Sequence, residues 1–163
     1  MKPFFSIILP TYNQSDFLKR SINSIVCQTF ENWELIVIDN NSSDNTDNVI
    51  KSFSDNRIKV YKIDNQNILA KSRNLGIKKS SSNWLCFIDS DDTWYPKKLE
   101  ITKNYIDLKD GDLFYHDLNF ANKKFIFFKK KIQDKSKKIT EPILKYFAYN
   151  GNGVGQSSVV VKK

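Results

Sequence analysis

The chain reads as an α/β protein with a largely parallel central sheet, and three observations lead to that reading. Apolar runs of strand length alternate with segments of helical periodicity between Phe4 and Leu108, as βαβ units require. Three of those runs end in polar residues, the arrangement expected where strands of an open sheet meet their connecting loops. A composition that is 40% hydrophobic, with 12 Phe, 7 Tyr and 3 Trp in 163 residues, fills the core of one ordinary domain without staples.

The elements follow in order. Phe5 to Leu9 makes the first strand, and a helix from Asp16 to Val26 follows, capped by Ser15, with Phe17, Leu18, Ile22, Ile25 and Val26 on its buried side. Trp33 to Ile38 is a second strand, and Asp44 to Phe53 a helix opened by the polar cluster Ser42-Ser43-Asp44. Ile58 to Ile63 is a third strand, Ile68 to Lys79 a helix, Trp84 to Ile88 a fourth strand and Pro96 to Leu108 a helix. Beyond that the alternation loosens: Leu113 to Tyr115 and Lys124 to Phe128 read as strands, Glu141 to Tyr149 as a helix capped by Thr140, and Ser157 to Val161 as a last strand. Gly151-Asn152-Gly153-Val154-Gly155 precedes a strand instead of opening a helix, so it reads as a turn and not as a phosphate loop. His116, beside Asp117 at a strand end, reads as a packed or solvent-facing residue.

Cys27 and Cys86 are isolated and far apart, which argues against a zinc site or a disulfide framework and fits a reducing cytoplasm. The apolar stretch Phe4 to Leu9 is too short for a signal peptide or a bilayer span, so the expectation is a protein not integral to a membrane. A formal charge of +8, from 26 basic and 18 acidic residues, favours anionic partners. Eight lysines between Lys123 and Lys138 surround Phe125-Ile126-Phe127-Phe128, which reads either as a strand with solvated flanks or as a peripheral contact with an anionic membrane. No RNA-binding aromatic signature, zinc finger or basic helical repeat is present, so nucleic acid is not an expected partner.

The chemistry concentrates in Asp89-Ser90-Asp91-Asp92, where the fourth strand ends in three carboxylates within four residues. Carboxylates so close repel unless a hard cation lies among them, which suits Mn²⁺ or Mg²⁺ bridging to a diphosphate; the alternative is an acidic turn that caps the next helix. In an open parallel sheet the crevice lies outside the carboxyl ends of the strands. Pro10-Thr11-Tyr12-Asn13, Asp39-Asn40-Asn41-Ser42-Ser43 and the acidic cluster then share one rim, offering a ring to stack on a base, a carboxylate for an imide or hydroxyl hydrogen, and carboxylates for a cation. That is a nucleotide site.

With these residues in hand, the chain resembles glycosyltransferase family 2, whose GT-A fold is a nucleotide-binding α/β sandwich. The resemblance rests on four segments in order: Phe5-Ser6-Ile7-Ile8-Leu9-Pro10-Thr11-Tyr12-Asn13, the run from Gln28 to Asp39, Ala70-Lys71-Ser72-Arg73-Asn74, and Asp89-Ser90-Asp91-Asp92 with Pro96 and Leu99. It implies that Tyr12 lies against the base, that backbone groups at Pro10 and Thr11 help hold it, and that Asp39 accepts an imide hydrogen, which points to uridine. It implies that Arg73 reaches the base or diphosphate and that Asp89, with Ser90 beside it, faces the ribose and donor sugar. Asp91, together with Asp89, would ligate the metal, and Asp92 would support that shell or cap the next helix. The implied activity is inverting transfer from a UDP-sugar to a glycan or lipid-linked acceptor of the cell surface, at the cytoplasmic membrane face.

Two departures from the family pattern stand out. Asn40 replaces a second acid after Asp39, keeping a hydrogen-bonding side chain for the ribose, and Ile68 stands where many members have glycine. Residues 1–99 read as the donor-binding half of one GT-A-like domain and 100–163 as an incomplete acceptor half. The resemblance places the catalytic base in an acidic motif beyond a strand like Gln156 to Lys162, so none is nominated here and the chain is expected to be part of a longer transferase. The rival readings are a non-catalytic nucleotide-binding module and a sugar nucleotidyltransferase, the latter disfavoured by the lack of glycine after the first strand.

Overall fold

Seven consecutive residues of β1 (Phe5–Thr11) and seven of β2 (Trp33–Asp39) are buried on both faces, which is why they read as unbroken apolar runs instead of alternating ones. The computed structural model describes residues 2–116 and 155–163. Its six-stranded sheet runs β3-β2-β1-β4-β6-β5, with β3 (Ile58–Lys62), β4 (Trp84–Phe87), β5 (Leu113–Phe114) and β6 (Val160–Lys162). β1, β2, β3 and β4 are mutually parallel, whereas β6 runs antiparallel to β4 and β5. The α/β reading with a mostly parallel sheet holds. The readings over 124–128 and 140–149, the lysine-rich segment 123–138 and most of the glycine-rich turn lie outside the described residues.

Side-chain alternation assigns the layers. Phe5, Ile7 and Leu9 of β1 point into one core with Leu18, Ile22 and Ile25 of α1 (Ser15–Val26), Ile50 of α2 (Thr46–Lys51) and Leu99 of α4 (Lys98–Leu108). Ile8 points the other way, toward Ile77 of α3 (Leu69–Lys79). There the helix comes so close that a β-carbon on Gly76 would lie 2.5 Å from Ile8 Cγ2, an approach that only glycine permits.

Several element ends differ from the sequence reading. α2 is shorter than 44–53 because Asp44 is engaged in loop contacts, and Pro96 sits in a turn before α4 rather than inside it. Ser157 and Ser158 belong to a 3₁₀ turn, Gln156–Ser158, so the last strand begins only at Val160. Phe17 is 46% exposed instead of buried, since the buried stripe of α1 runs through Leu18, Ser21, Ile22 and Ile25; the guanidinium of Arg20 covers its ring at 5.1 Å. Ser15 is the first helical residue and makes no side-chain cap. Its N–H donates instead to Asp44 Oδ2 at 2.9 Å, a cap delivered from another loop. No helix among the described residues is long and apolar enough to cross a membrane.

At the amino end of the sheet, buried Glu34 binds four donors. It accepts from Ser6 Oγ (2.5 Å), Ser81 N–H and Ser81 Oγ (both 2.7 Å) and Lys59 Nζ (2.7 Å). Burial pushes its carboxyl up, but the hydrogen bonds from Lys59, Ser6 and Ser81 outweigh that and hold it at about 2, below its ordinary 4.5. A depressed carboxylate stabilises the fold above its unfolded value, and the contribution fades as pH falls from 4.5 toward about 2. Glu34→Ala strands the buried donors and is expected to cost about 2 kcal/mol. In thermal unfolding between pH 2 and pH 7 its deficit against the parent chain should be full at neutral pH and shrink in acid. A deficit independent of pH would refute this account.

Candidate functional site

β1 pairs with β4 only as far as Ile8↔Phe87, yet with β2 as far as Thr11↔Asp39. From Leu9 onward β1 therefore has a neighbour on one side only, and Pro10, which lacks an N–H for a second ladder, is tolerated there. The opening falls where the strand order turns back on itself, between β1 and β4, at their carboxyl ends. The three polar loops predicted to share a rim do meet there.

The loops after β1 and β2 are laced together. Asn13, at φ 49°, donates its N–H to Ser42 Oγ (2.9 Å) and accepts from Ser43 N–H at Oδ1 (2.8 Å). Asp44 accepts from Thr46 Oγ1 (2.6 Å), Thr46 N–H (3.1 Å) and Ser15 N–H. The Thr46 hydroxyl and, against a small burial penalty, these backbone donors hold its carboxyl down at about 2. Between these loops Tyr12 presents a ring that is 54% exposed.

Asp39 is wholly buried, and its two oxygens differ. Oδ1 accepts from Ser42 N–H (3.0 Å) and Ser42 Oγ (2.5 Å); Oδ2 has no hydrogen-bond donor and lies 3.7 Å from Lys62 Nζ, which is itself bound to Asp47. Thr11 Oγ1, Asn65 Oδ1 and Arg73 Nε are also buried without a partner. Unmet polar groups are costly inside a protein, and among the described residues Ser21 Oγ, Trp33 Nε1 and Lys98 Nζ share that condition away from these loops. The Oδ1 of Asn40, a residue expected near a ribose, accepts from Asn65 N–H at 2.8 Å, and Asn65 Nδ2 donates to Ser72 Oγ at 2.9 Å. Its side chain anchors the loop after β3. In that loop Gln66 and Asn67 take positive φ (53° and 60°) and Ile68 N–H closes a turn onto Asn65 O, so Ile68 itself, at φ −105°, needs no glycine.

On the far side of the opening, Arg73 on α3 reaches across to Asp89, Nη2 to Oδ1 at 2.7 Å. Ser90 is buried and donates its hydroxyl to Gln14 Oε1, joining the acidic turn to the first loop. The turn is closed by Asp92 N–H to Asp89 O at 3.0 Å, and Asp91 stands exposed at its tip with no hydrogen bond to any described residue. Ser157 Oγ accepts from Asp89 N–H at 3.0 Å and donates to Asp92 Oδ2, while the Trp94 indole donates to Ser157 O at 2.8 Å. Beneath the turn, burial pushes Lys98 down to about 8, its ammonium 3.8 Å from the Trp94 ring centre. Sequence reasoning missed Gln14, Asn65 and Ser157, whose roles arise only from tertiary contact.

Among the described residues no group of three His, Cys, Asp or Glu is gathered into a closed cation cage. Among the described residues, none donates a hydrogen bond to the carboxylate of Asp91 or to the second oxygen of Asp89. Magnesium-type ions are commonly held by one or two carboxylates plus substrate phosphates, so this donor set fits a cation that arrives with a diphosphate.

The family model described as Glycosyl transferase family 2 matches residues 6–160. UDP-Glc:alpha-D-GlcNAc-diphosphoundecaprenol beta-1,3-glucosyltransferase WfgD of Escherichia coli is 44% identical over 96 residues, 59% of this chain and 38% of that protein. The putative teichuronic acid biosynthesis glycosyltransferase TuaG of Bacillus subtilis is 33% identical over 101 residues, 61% of this chain and 40% of its own length. Among solved structures, S. aureus TarS 1-349 in complex with UDP superposes with a TM-score of 0.69 at 28% identity, covering 78% of this chain and 38% of that one. The chain thus spans about two fifths of the length of these relatives.

The lacing of the first two loops can be tested by itself. Asn13→Ala removes the acceptor for Ser43 N–H and leaves an ordinary side chain in the left-handed region, so denaturant unfolding should show a loss of about 1–2 kcal/mol. Asn13→Gly relieves the backbone term and should lose less. An equal or larger loss for glycine would overturn this explanation.

Proposed function

The chain belongs to glycosyl transferase family 2, and we propose that it binds the nucleotide-sugar donor of a glycosyltransferase acting on cell-surface glycans. The observation that carries the proposal is the buried Asp39 carboxylate, with one oxygen lacking a hydrogen-bond donor and 3.7 Å from Lys62 Nζ, on the same rim as the exposed Tyr12 ring and the exposed Asp91. A donor of the UDP-sugar class answers each feature. Tyr12 stacks on the uracil, with Pro10 and Thr11 backbone beside it, and Asp39 Oδ2 accepts the imide hydrogen. The Lys62 ammonium balances the Asp39 charge. The names of WfgD and of the TarS complex with UDP support uridine as the base.

In this reading Arg73, held against Asp89, neutralises a phosphate, and Asp89 faces the ribose and sugar with Ser90 beside it, its buried hydroxyl taken by Gln14. Asp91 and Asp89 would hold Mn²⁺ or Mg²⁺, which supplies positive charge against the departing diphosphate. Inverting transfer also needs a base for the acceptor hydroxyl, and no described residue is assigned to it. The acceptor class is a surface polysaccharide or a lipid-linked glycan, by the WfgD and TuaG names, reached at the cytoplasmic membrane face.

Calorimetric titration of UDP with and without Mn²⁺ tests this reading. Binding should tighten with the metal, and Asp91→Ala should lose that gain while keeping the metal-free affinity. Asp39→Asn turns an acceptor into a donor facing the imide N–H and should weaken UDP about tenfold under both conditions, as expected for a lost hydrogen bond to a charged group. Unchanged UDP binding in both variants would refute the site.

A further inference from the structure

We propose that Ser157 is the positioning residue of the acidic turn: by clamping both ends of residues 89–92 it fixes where the Asp91 carboxylate stands and so sets affinity for the cation-diphosphate unit. The inference rests on the donor reading above.

The clamp is made by one buried residue acting through three hydrogen bonds. Its hydroxyl oxygen takes the Asp89 N–H at 3.0 Å, its hydroxyl hydrogen goes to Asp92 Oδ2, and its carbonyl receives the Trp94 indole N–H at 2.8 Å. The turn's own bond, Asp92 N–H to Asp89 O, leaves Asp91 between two fixed ends with its carboxylate in solvent. A free turn of four residues samples many orientations of its tip, and pinning both ends removes that freedom before the ligand arrives.

Ser157 is itself held by the sheet. The 3₁₀ turn Gln156–Ser158 leads directly into β6, whose register with β4 is Cys86↔Val160, and Ser158 Oγ donates to Gly155 O at 2.6 Å. The antiparallel strand that closes β4 thus carries the clamp for the loop at β4's end. Replacing a serine that merely satisfied buried polar groups would change UDP affinity equally with metal and without. A positioning residue would act selectively on the metal-dependent part.

The test compares UDP affinity with and without Mn²⁺ for the full chain and its variants, the ratio of the two dissociation constants being the readout. Ser157→Ala should reduce that ratio about tenfold, the size of effect expected for a charge-assisted hydrogen bond, and change metal-free affinity less than about twofold. Ser157→Thr keeps the hydroxyl and should retain the parent ratio. Asp92→Ala, an independent break of the same clamp, should show the same loss, and the double variant Ser157→Ala/Asp92→Ala no more than either alone. A parent-like ratio in Ser157→Ala and Asp92→Ala, or an equal loss of affinity with and without metal, overturns the proposal. A parent chain that gains nothing from Mn²⁺ overturns the donor reading, and this inference with it; a parent gain that the variants keep overturns the inference alone.

Discussion

β1 continues past its last pair with β4, running on through Leu9, Pro10 and Thr11 beside β2 alone, and the site depends on that mismatch in strand length. Were β4 to follow β1 to its end, the space between the first loop and the acidic turn would be filled by sheet. Because β4 stops at Phe87, β1 runs on without a neighbour on that side, at the point of strand-order reversal where open α/β sheets hold their ligands. The apolar layers on either face, with Gly76 letting α3 settle onto Ile8, keep those strand ends in place while the loops above them carry unmet polar groups.

The rim is made rigid by side chains that reach between loops. Asn13 with Ser42 and Ser43, Asp44 with Ser15, Asn40 with Asn65, Gln14 with Ser90 and Ser157 with Asp89 and Asp92 each join segments that are distant in sequence. Their common effect is to spend ordering entropy during folding, so that a ligand meets loops already arranged. Left-handed backbone at Asn13, Asn41, Gln66 and Asn67 belongs to the same pattern, since such positions persist where the surroundings hold them.

Much of this was legible from the sequence. The buried parallel strands declared themselves as continuous apolar runs, and the polar residues just after them identified the rim, because strand ends of a parallel sheet must lie together. What was illegible came from partners far along the chain. Ser15 looks like a local helix cap, yet the acceptor at that helix end is Asp44, on a different loop. Phe17 fits an apolar helical stripe but lies off its centre and is covered by Arg20. Asn40 reads as a ligand for a ribose, and nothing local in the sequence signals that its Oδ1 also accepts from the backbone of Asn65. Ser157 sits in a stretch that reads as strand, and nothing local in Gln156-Ser157-Ser158 signals that it holds a turn 65 residues earlier.

The central claim is that the crevice between β1 and β4 receives a uridine diphosphate group, and amide chemical-shift mapping of the chain during titration with UDP and Mg²⁺ tests it most directly. The expected result is perturbation confined to residues 10–13, 39–43, 64–68, 73 and 89–92. Shifts centred elsewhere, such as the basic depression formed by Lys19, Arg20, Asn23, Ser52 and Phe53 between α1 and α2, would contradict the account.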